Sequence, residues 1–289
     1  MLTSKWLRAG IVIAFALCLW CNNVYGPSMR TVVAQHRSLI TPAKQAFSIW
    51  GLIYFTITIF VVREAAFPSQ TISPHHAQRL YLLFIASCAF NMGWLIVFST
   101  GHIVWSFLVI LILWGITGAM YLLVGELVKP PTVYELLSLR SHGQYYECTS
   151  WQDYICIRVP FTLYFSWTCG ATLINLTVSL AGLGLDLGLW IYIACLIILL
   201  GIHTTALIYR GDIVFAVVGI WTLSWQVKDD DLTPTEANYL DVIQVVATMG
   251  AIILGIVVVG LFLYNYFFRK PNQRVYEGKE SNAKVYGTL

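Results

Sequence analysis

An all-α, polytopic integral membrane protein of about eight transmembrane helices is the fold the sequence predicts, and three observations predict it. Hydrophobic residues make up 58% of the 289 residues. Asp, Glu, Lys and Arg together make up only 11%, against roughly 25% in a soluble globular domain, which is too little charge to coat a water-facing surface. Uncharged apolar runs of membrane length recur along the chain, whose mean hydropathy is +0.73. The same figures exclude a disordered chain, which needs high charge and few aromatics, since 15% of the residues here are aromatic. Seven cysteines are too few for a disulfide scaffold. A net charge of +3, concentrated at the chain ends, is no nucleic-acid footprint.

A helix crossing the hydrocarbon needs about 20 mostly apolar residues, because lipid offers no partner to backbone groups that the helix itself leaves free. The first such run, residues 9–25, follows Lys5 and Arg8 as a signal peptide would. Asn22, Asn23, Val24 and Tyr25 offer no Ala-x-Ala cleavage site, so it is read as an uncleaved span. Residues 45–62, 80–101, 103–125, 159–185 and 187–209 give five more, and 242–268 the last. The seventh run, 213–227, is the weakest, with 15 uncharged residues between Asp212 and Lys228. With eight crossings, 13 of the 17 Lys and Arg share the side of the N-terminus; without the seventh they divide nine against eight. The positive-inside rule therefore predicts eight crossings with both termini cytoplasmic. The long connection after the fourth span, 128–157, is then cytoplasmic, and its Cys148 and Cys156 are expected as reduced thiols. The polar tail, 269–289, is expected to be disordered.

Enzyme signatures are missing: the sequence has no Gly-x-x-x-x-Gly-Lys, His-Glu-x-x-His or Gly-x-Ser-x-Gly. No Asp, Glu, Lys or Arg falls inside a predicted span, which argues against a proton-coupled carrier; Glu64, Glu126, Asp186 and Asp212 sit at span edges. His203 is the one imidazole within a span. With no second ligand at metal spacing, it is read as hydrogen-bonded to a neighbouring helix. Asn175-Leu176-Thr177 has the form of a glycosylation site but lies mid-span.

Aromatic and amide side chains share helix faces in three spans. Phe47, Trp50 and Tyr54 stack in the second, Asn91, Trp94 and Phe98 in the third, and Tyr164, Trp167, Ala171 and Asn175 in the fifth, each at steps of three or four residues. Two readings fit: an aromatic packing core with Asn as interhelical glue, or the walls of a pocket for a flat apolar ligand.

These stripes, in this order, resemble the TspO/MBR family, the tryptophan-rich sensory proteins and translocator-protein or peripheral benzodiazepine receptors. The resemblance rests on Thr41-Pro42-Ala43 followed by Phe47, Trp50 and Tyr54, on Asn91-Met92-Gly93-Trp94, and on the spacing Tyr164, Trp167, Ala171, Asn175. It is closest to the longer branch with extra C-terminal spans. It implies a five-helix bundle over residues 1–181, three additional helices over 182–268, and the tail. It also implies a cavity beneath the loop after the first span, lined or braced by Trp50, Tyr54, Asn91, Trp94, Tyr164, Trp167, Ala171 and Asn175. Family ligands are porphyrins and haem, sterols, and isoquinoline or benzodiazepine drugs. Arg30, Arg37 and Lys44 would pair with porphyrin propionates or stay solvated.

The function expected is a membrane receptor or carrier for a planar hydrophobic ligand such as a porphyrin, haem, sterol or related lipid. It is expected not to be an enzyme and to need no cofactor or metal, a tetrapyrrole being cargo; its partners would be that molecule, membrane lipids and a second copy in a homodimer, with no nucleic acid. An uncoupled transporter of a neutral or amphipathic solute, or a structural membrane subunit, are the alternatives. Tyr286-Gly287-Thr288-Leu289 has the form read by endocytic adaptors, which would place a eukaryotic protein in the plasma or endosomal membrane.

Overall fold

The computed structural model describes residues 2–36, 38–69, 71–129, 151–225 and 232–268. Arg37, Cys148, the acidic run 229–231 and the tail 269–289 fall outside them. Among the described residues every extended element is a helix. These are α1 (Leu2–Gln35), α2 (Ile49–Ala66), α3 (Pro74–Ser99), α4 (Ile103–Leu127), α5 (Val159–Gly182), α6 (Leu189–Arg210), α7 (Ile213–Ser224) and α8 (Pro234–Phe268). A 3-10 turn, Lys44–Ser48, leads into α2, and a wider π turn, Tyr154–Arg158, leads into α5.

Six of the eight helices are long and apolar enough to cross a membrane. The chain is an all-α, multi-pass membrane protein. The two that fall short do so for different reasons. α5 has the length but carries Thr162, Ser166, Thr168, Asn175, Thr177 and Ser179, all buried against protein rather than lipid. α7 has the apolarity but only 12 residues, about 18 Å at 1.5 Å per residue against a hydrocarbon core of about 30 Å.

α1 packs on α3, α3 on α4, α4 on α5, α5 on α2 and α2 on α1, which closes a five-helix ring. A second group, α6, α7 and α8, packs on the far side of α5. α5 is thus shared, and 15 of its residues are buried. The large buried side chains fall into two clusters accordingly, one inside the ring and one between α5 and the added helices. Exposed aromatics mark the two ends of the bundle: Trp105 and Trp190 begin α4 and α6 at one end, and Trp6 and Tyr209 lie at the other, as interfacial belts do.

The charge-free spans expected from the sequence need correcting. α2 runs past residue 62 to Ala66, so Arg63 and Glu64 belong to the helix, and Glu64 is only 2% exposed. Its carboxylate accepts from the Tyr81 hydroxyl at 2.7 Å and from the Ser69 backbone N–H at 3.3 Å. Asp153 is buried beside it, paired with Arg63 and hydrogen-bonded by Ser69 and Thr71. Arg158 and Asp212 form a second buried pair at 3.0 Å. Each of these charges is tolerated because a partner within the protein replaces water.

α7 begins directly after α6, across a turn in which Gly211 adopts φ 61°. A side chain with a Cβ is disfavoured there. Asp212 caps α7 by accepting from the Phe215 N–H at 3.2 Å. The far end of α7 stops half way along the bundle. Thr222 lies against Gly170 near the middle of α5, and Leu223 lies 3.3 Å from the Cβ position of Gly250 near the middle of α8.

Candidate functional site

The connection between α1 and α2 descends into the bundle instead of capping it. Ser38 is hydrogen-bonded to Thr177 of α5, hydroxyl to hydroxyl, at 2.7 Å. Ile40, 6% exposed, lodges between α5, α6 and α7. α2 therefore starts at mid-depth, which brings Phe47 and Trp50 level with Trp167 on α5. The Phe47 and Trp50 rings meet the Trp167 ring edge-on, at centroid distances of 5.9 and 6.3 Å.

A cavity of about 40 Å³ lies under this connection. α5 supplies Trp167, Ala171, Ile174, Asn175 and Val178, one helical face. α2 and its entry turn supply Trp50 and Phe47, α3 supplies Trp94 and Phe98, and the loop supplies His36 and Thr41. Met29 and Val33 of α1 complete the wall. They reach it because α1 continues as helix past Pro27, about ten residues beyond its apolar run. Sequence reasoning missed them, although Met29, Val33 and His36 stand at steps of four and three, one face of a helix carried on.

Of the eight residues singled out in the sequence, Trp50, Trp94, Trp167, Ala171 and Asn175 line the cavity. Tyr54, Asn91 and Tyr164 lie beyond its wall, in a buried polar network. The Tyr54 hydroxyl donates to Asn22 Oδ1 at 2.9 Å, Asn22 Nδ2 donates to Asn91 Oδ1 at 3.3 Å, and the Cys18 thiol donates to the same oxygen at 3.4 Å. Asn91 thus draws α1, α2 and α3 together. Trp50 links the two layers, stacked on Tyr54 at 5.3 Å and edge-on to Tyr164 at 6.0 Å. Such ring pairs contribute about 0.5–1.5 kcal/mol each beyond burial. Asn22 and Cys18 were not expected in this role.

The surface of the cavity is almost wholly apolar. Trp94 Nε1, Trp167 Nε1 and Thr41 Oγ1 are buried and have no hydrogen-bond partner among the described residues. Asn175 is held in place by Ser106, whose hydroxyl donates to its Oδ1 at 3.2 Å. Of the basic residues before α2, Lys44 is exposed and does not line the cavity. Arg37 and the side chain of Arg30 lie outside the described residues. His203 sits apart from the cavity with Ser166 Oγ 2.9 Å from its Nε2 and the Leu199 carbonyl 2.8 Å from its Nδ1, which fits the hydrogen-bonded role expected of it. No group of three or more His, Cys, Asp or Glu at metal-binding distance occurs among the described residues.

No curated protein and no solved structure matches the chain. A family model described as TSPO-like protein matches residues 5–260, from the start of α1 through most of α8 and so across both helix groups. With nearly the whole chain matched, the protein belongs to the TSPO-like family of multi-pass membrane proteins.

Proposed function

We propose that the cavity receives a planar hydrophobic ligand bearing hydrogen-bond acceptors, and that the protein acts as a membrane receptor or carrier for it without covalent chemistry. The observation that carries this reading is the pairing of an aromatic wall with unused donors. Rings of Phe47, Trp50, Trp94, Phe98 and Trp167 surround a space into which only apolar, flat matter packs well. The indole N–H groups of Trp94 and Trp167 and the Thr41 hydroxyl are left without acceptors. A buried donor without a partner costs about 1–3 kcal/mol, and a carbonyl or carboxylate on the ligand would relieve it. Tetrapyrroles with propionate groups, and oxygenated sterols, have that character.

At about 40 Å³ the cavity is several-fold smaller than the roughly 300–1,000 Å³ of a site for a drug-sized molecule. Binding therefore requires the loop over it to move. Tryptophan-fluorescence quenching of the detergent-purified protein by protoporphyrin IX tests the reading, with etioporphyrin, which lacks the carboxylates, as comparison. Saturable quenching at micromolar concentration, about −8 kcal/mol, that weakens at least tenfold for etioporphyrin is expected. Equal, non-saturable quenching by both would retire it.

The half-length of α7 favours a second reading, transport of a neutral or amphipathic solute, because helices broken near mid-depth mark the substrate sites of many carriers. Flux of a porphyrin into proteoliposomes that depends on α7 would favour it over reception. For orientation we propose cytoplasmic termini: Lys5, Arg8, Arg63, Arg79, Lys129, Arg158 and Arg210 all gather at one end of the bundle, the pattern of the positive-inside rule.

A further inference from the structure

We infer that α7, one of the helices added to the five-helix ring, is the strut that holds the cavity's lid closed, and that Trp221 is its positioning residue. The inference rests on the cavity being the ligand site, and it assigns the control of access to it.

α7 ends half way along the bundle, with Thr222 and Leu223 buried. The last carbonyl groups of a helix have no partner within it and take donors from elsewhere. The lid supplies one: the Ala43 N–H donates to the Trp225 carbonyl at 3.0 Å. The contact is returned from the other side, since the Trp221 indole N–H donates to the Ala46 carbonyl at 3.0 Å. The two indoles stand edge to face at 5.2 Å, so the pair presents one rigid surface to the lid. Between these bonds and the Ser38–Thr177 contact, Ile40 fills a slot lined by Gly170, Leu196, Leu199 and Thr222. A small cavity of about 20 Å³ remains in that slot, and Ile174 borders both it and the main cavity.

The lid thus leans on α7 at three points, while its inner surface, through His36 and Thr41, forms a wall of the ligand cavity. Admitting a ligand requires the lid to rise. Rising breaks both hydrogen bonds and withdraws Ile40. Both bonds join buried or half-buried residues, and a donor or acceptor left unpaired there costs free energy. α7 is in turn held at its other end by the Arg158–Asp212 pair, so the strut is braced on α5. Trp221 touches the ligand only through the lid. Its removal should change how fast the site exchanges its occupant more than how tightly it holds it.

Two variants separate the contacts. Trp221→Phe keeps an aromatic ring and loses the N–H. Ala43→Pro removes only the donor to Trp225, and the native φ of −54° at Ala43 already suits proline. Trp114→Phe is the control, since its indole donates to Cys169 Sγ at 3.3 Å away from the lid. With full-length protein in nanodiscs, hydrogen exchange over residues 36–48 should quicken about tenfold in either lid variant and stay unchanged in the control. In stopped-flow mixing with protoporphyrin IX, association and dissociation should both rise several-fold while Kd moves less than threefold. Unchanged lid exchange in both variants, with melting temperatures like wild type, would overturn the inference. Faster lid exchange without saturable porphyrin binding in any form would leave the strut standing and remove the ligand proposed for the site.

Discussion

Arg158 and Asp212 are paired at 3.0 Å with only 3% and 2% of their side chains exposed, and this one contact joins the two helix groups at their charged end. The other guanidinium nitrogen of Arg158 donates to the Val128 carbonyl at 2.6 Å and the Gly125 carbonyl at 3.3 Å, capping the end of α4. Asp212 meanwhile accepts from the Phe215 N–H that opens α7. Three helices, α4, α5 and α7, therefore meet at two charges.

Removing one partner should be far worse than removing both. Asp212→Ala leaves a buried guanidinium uncompensated and uncaps α7, so it should destabilise the protein by about 3–5 kcal/mol. Arg158→Met combined with Asp212→Leu should recover at least half of that loss. Thermal unfolding followed by circular dichroism in detergent reads both, and a cost below about 1 kcal/mol for Asp212→Ala would show the pair to be dispensable.

Gly219 allows α7 to lie directly on His203. A Cβ at Gly219 would sit 2.4 Å from His203 Cδ2 and 2.7 Å from Cγ. The imidazole is held from both sides by Ser166 and Leu199 and has no room to retreat. Gly219→Ala is expected to cost at least about 1–3 kcal/mol, the range for overpacking. The same substitution made in a His203→Ala background should cost much less. Equal costs in the two backgrounds would mean that the helices simply separate.

Tyr54 and Asn91 brace the cavity rather than wall it, and their variants should behave so. Tyr54→Phe removes one hydrogen bond to Asn22, worth about 1 kcal/mol. Asn91→Leu removes the acceptor shared by the Asn22 amide and the Cys18 thiol, the amide keeping its bond to the Cys18 carbonyl at 2.9 Å, and should cost about 2–3 kcal/mol. Neither change should alter protoporphyrin IX affinity more than threefold once protein still folded is assayed. Trp94→Phe, by contrast, removes an unpaired donor at the cavity wall and should weaken binding about tenfold without loss of melting temperature.

Cys156 offers a pH-dependent reading of the charged end. Burial pushes its thiol above the ordinary value, and the Asp153 and Glu64 carboxylates add to the rise, while Arg63 opposes it. A raised pKa keeps the thiol protonated, and only the thiolate reacts. Iodoacetamide modification of Cys156, followed by peptide mass spectrometry, should therefore be slow at pH 8 and still be rising above pH 9. Replacing Arg63 with Met should slow it further, because the opposing charge is lost. A rate that levels off by pH 8.5 would contradict this.

Much of the fold was legible in the sequence because lipid imposes a length and an apolarity that a linear chain must display. The runs later seen as α3, α4, α6 and α8 announced themselves in this way. The face shared by Trp167, Ala171 and Asn175 was equally visible, since helical periodicity alone puts them side by side. Periodicity ranks residues around a helix but says nothing of depth. Tyr54, Asn91 and Tyr164 carry the same stripes as Trp50 and Trp94, yet they fall beyond the cavity wall because α2 starts at mid-depth. That start was hidden by Lys44–Ser48, a 3-10 turn that reads as helix in sequence.

The sequence by itself determined an all-α membrane protein, the order of its helices and the aromatic character of its site, because these follow from composition and local period. Only the tertiary structure decided which of those aromatics meet across a space and that α1 carries Met29 and Val33 into its wall. It alone placed Arg63, Glu64, Arg158 and Asp212 in protected pairs, and stopped α7 half way to meet the lid. Each of these depends on a partner distant in the chain, as Ala46 is from Trp221, and a buried charge, donor or carbonyl is stable only where such a partner arrives.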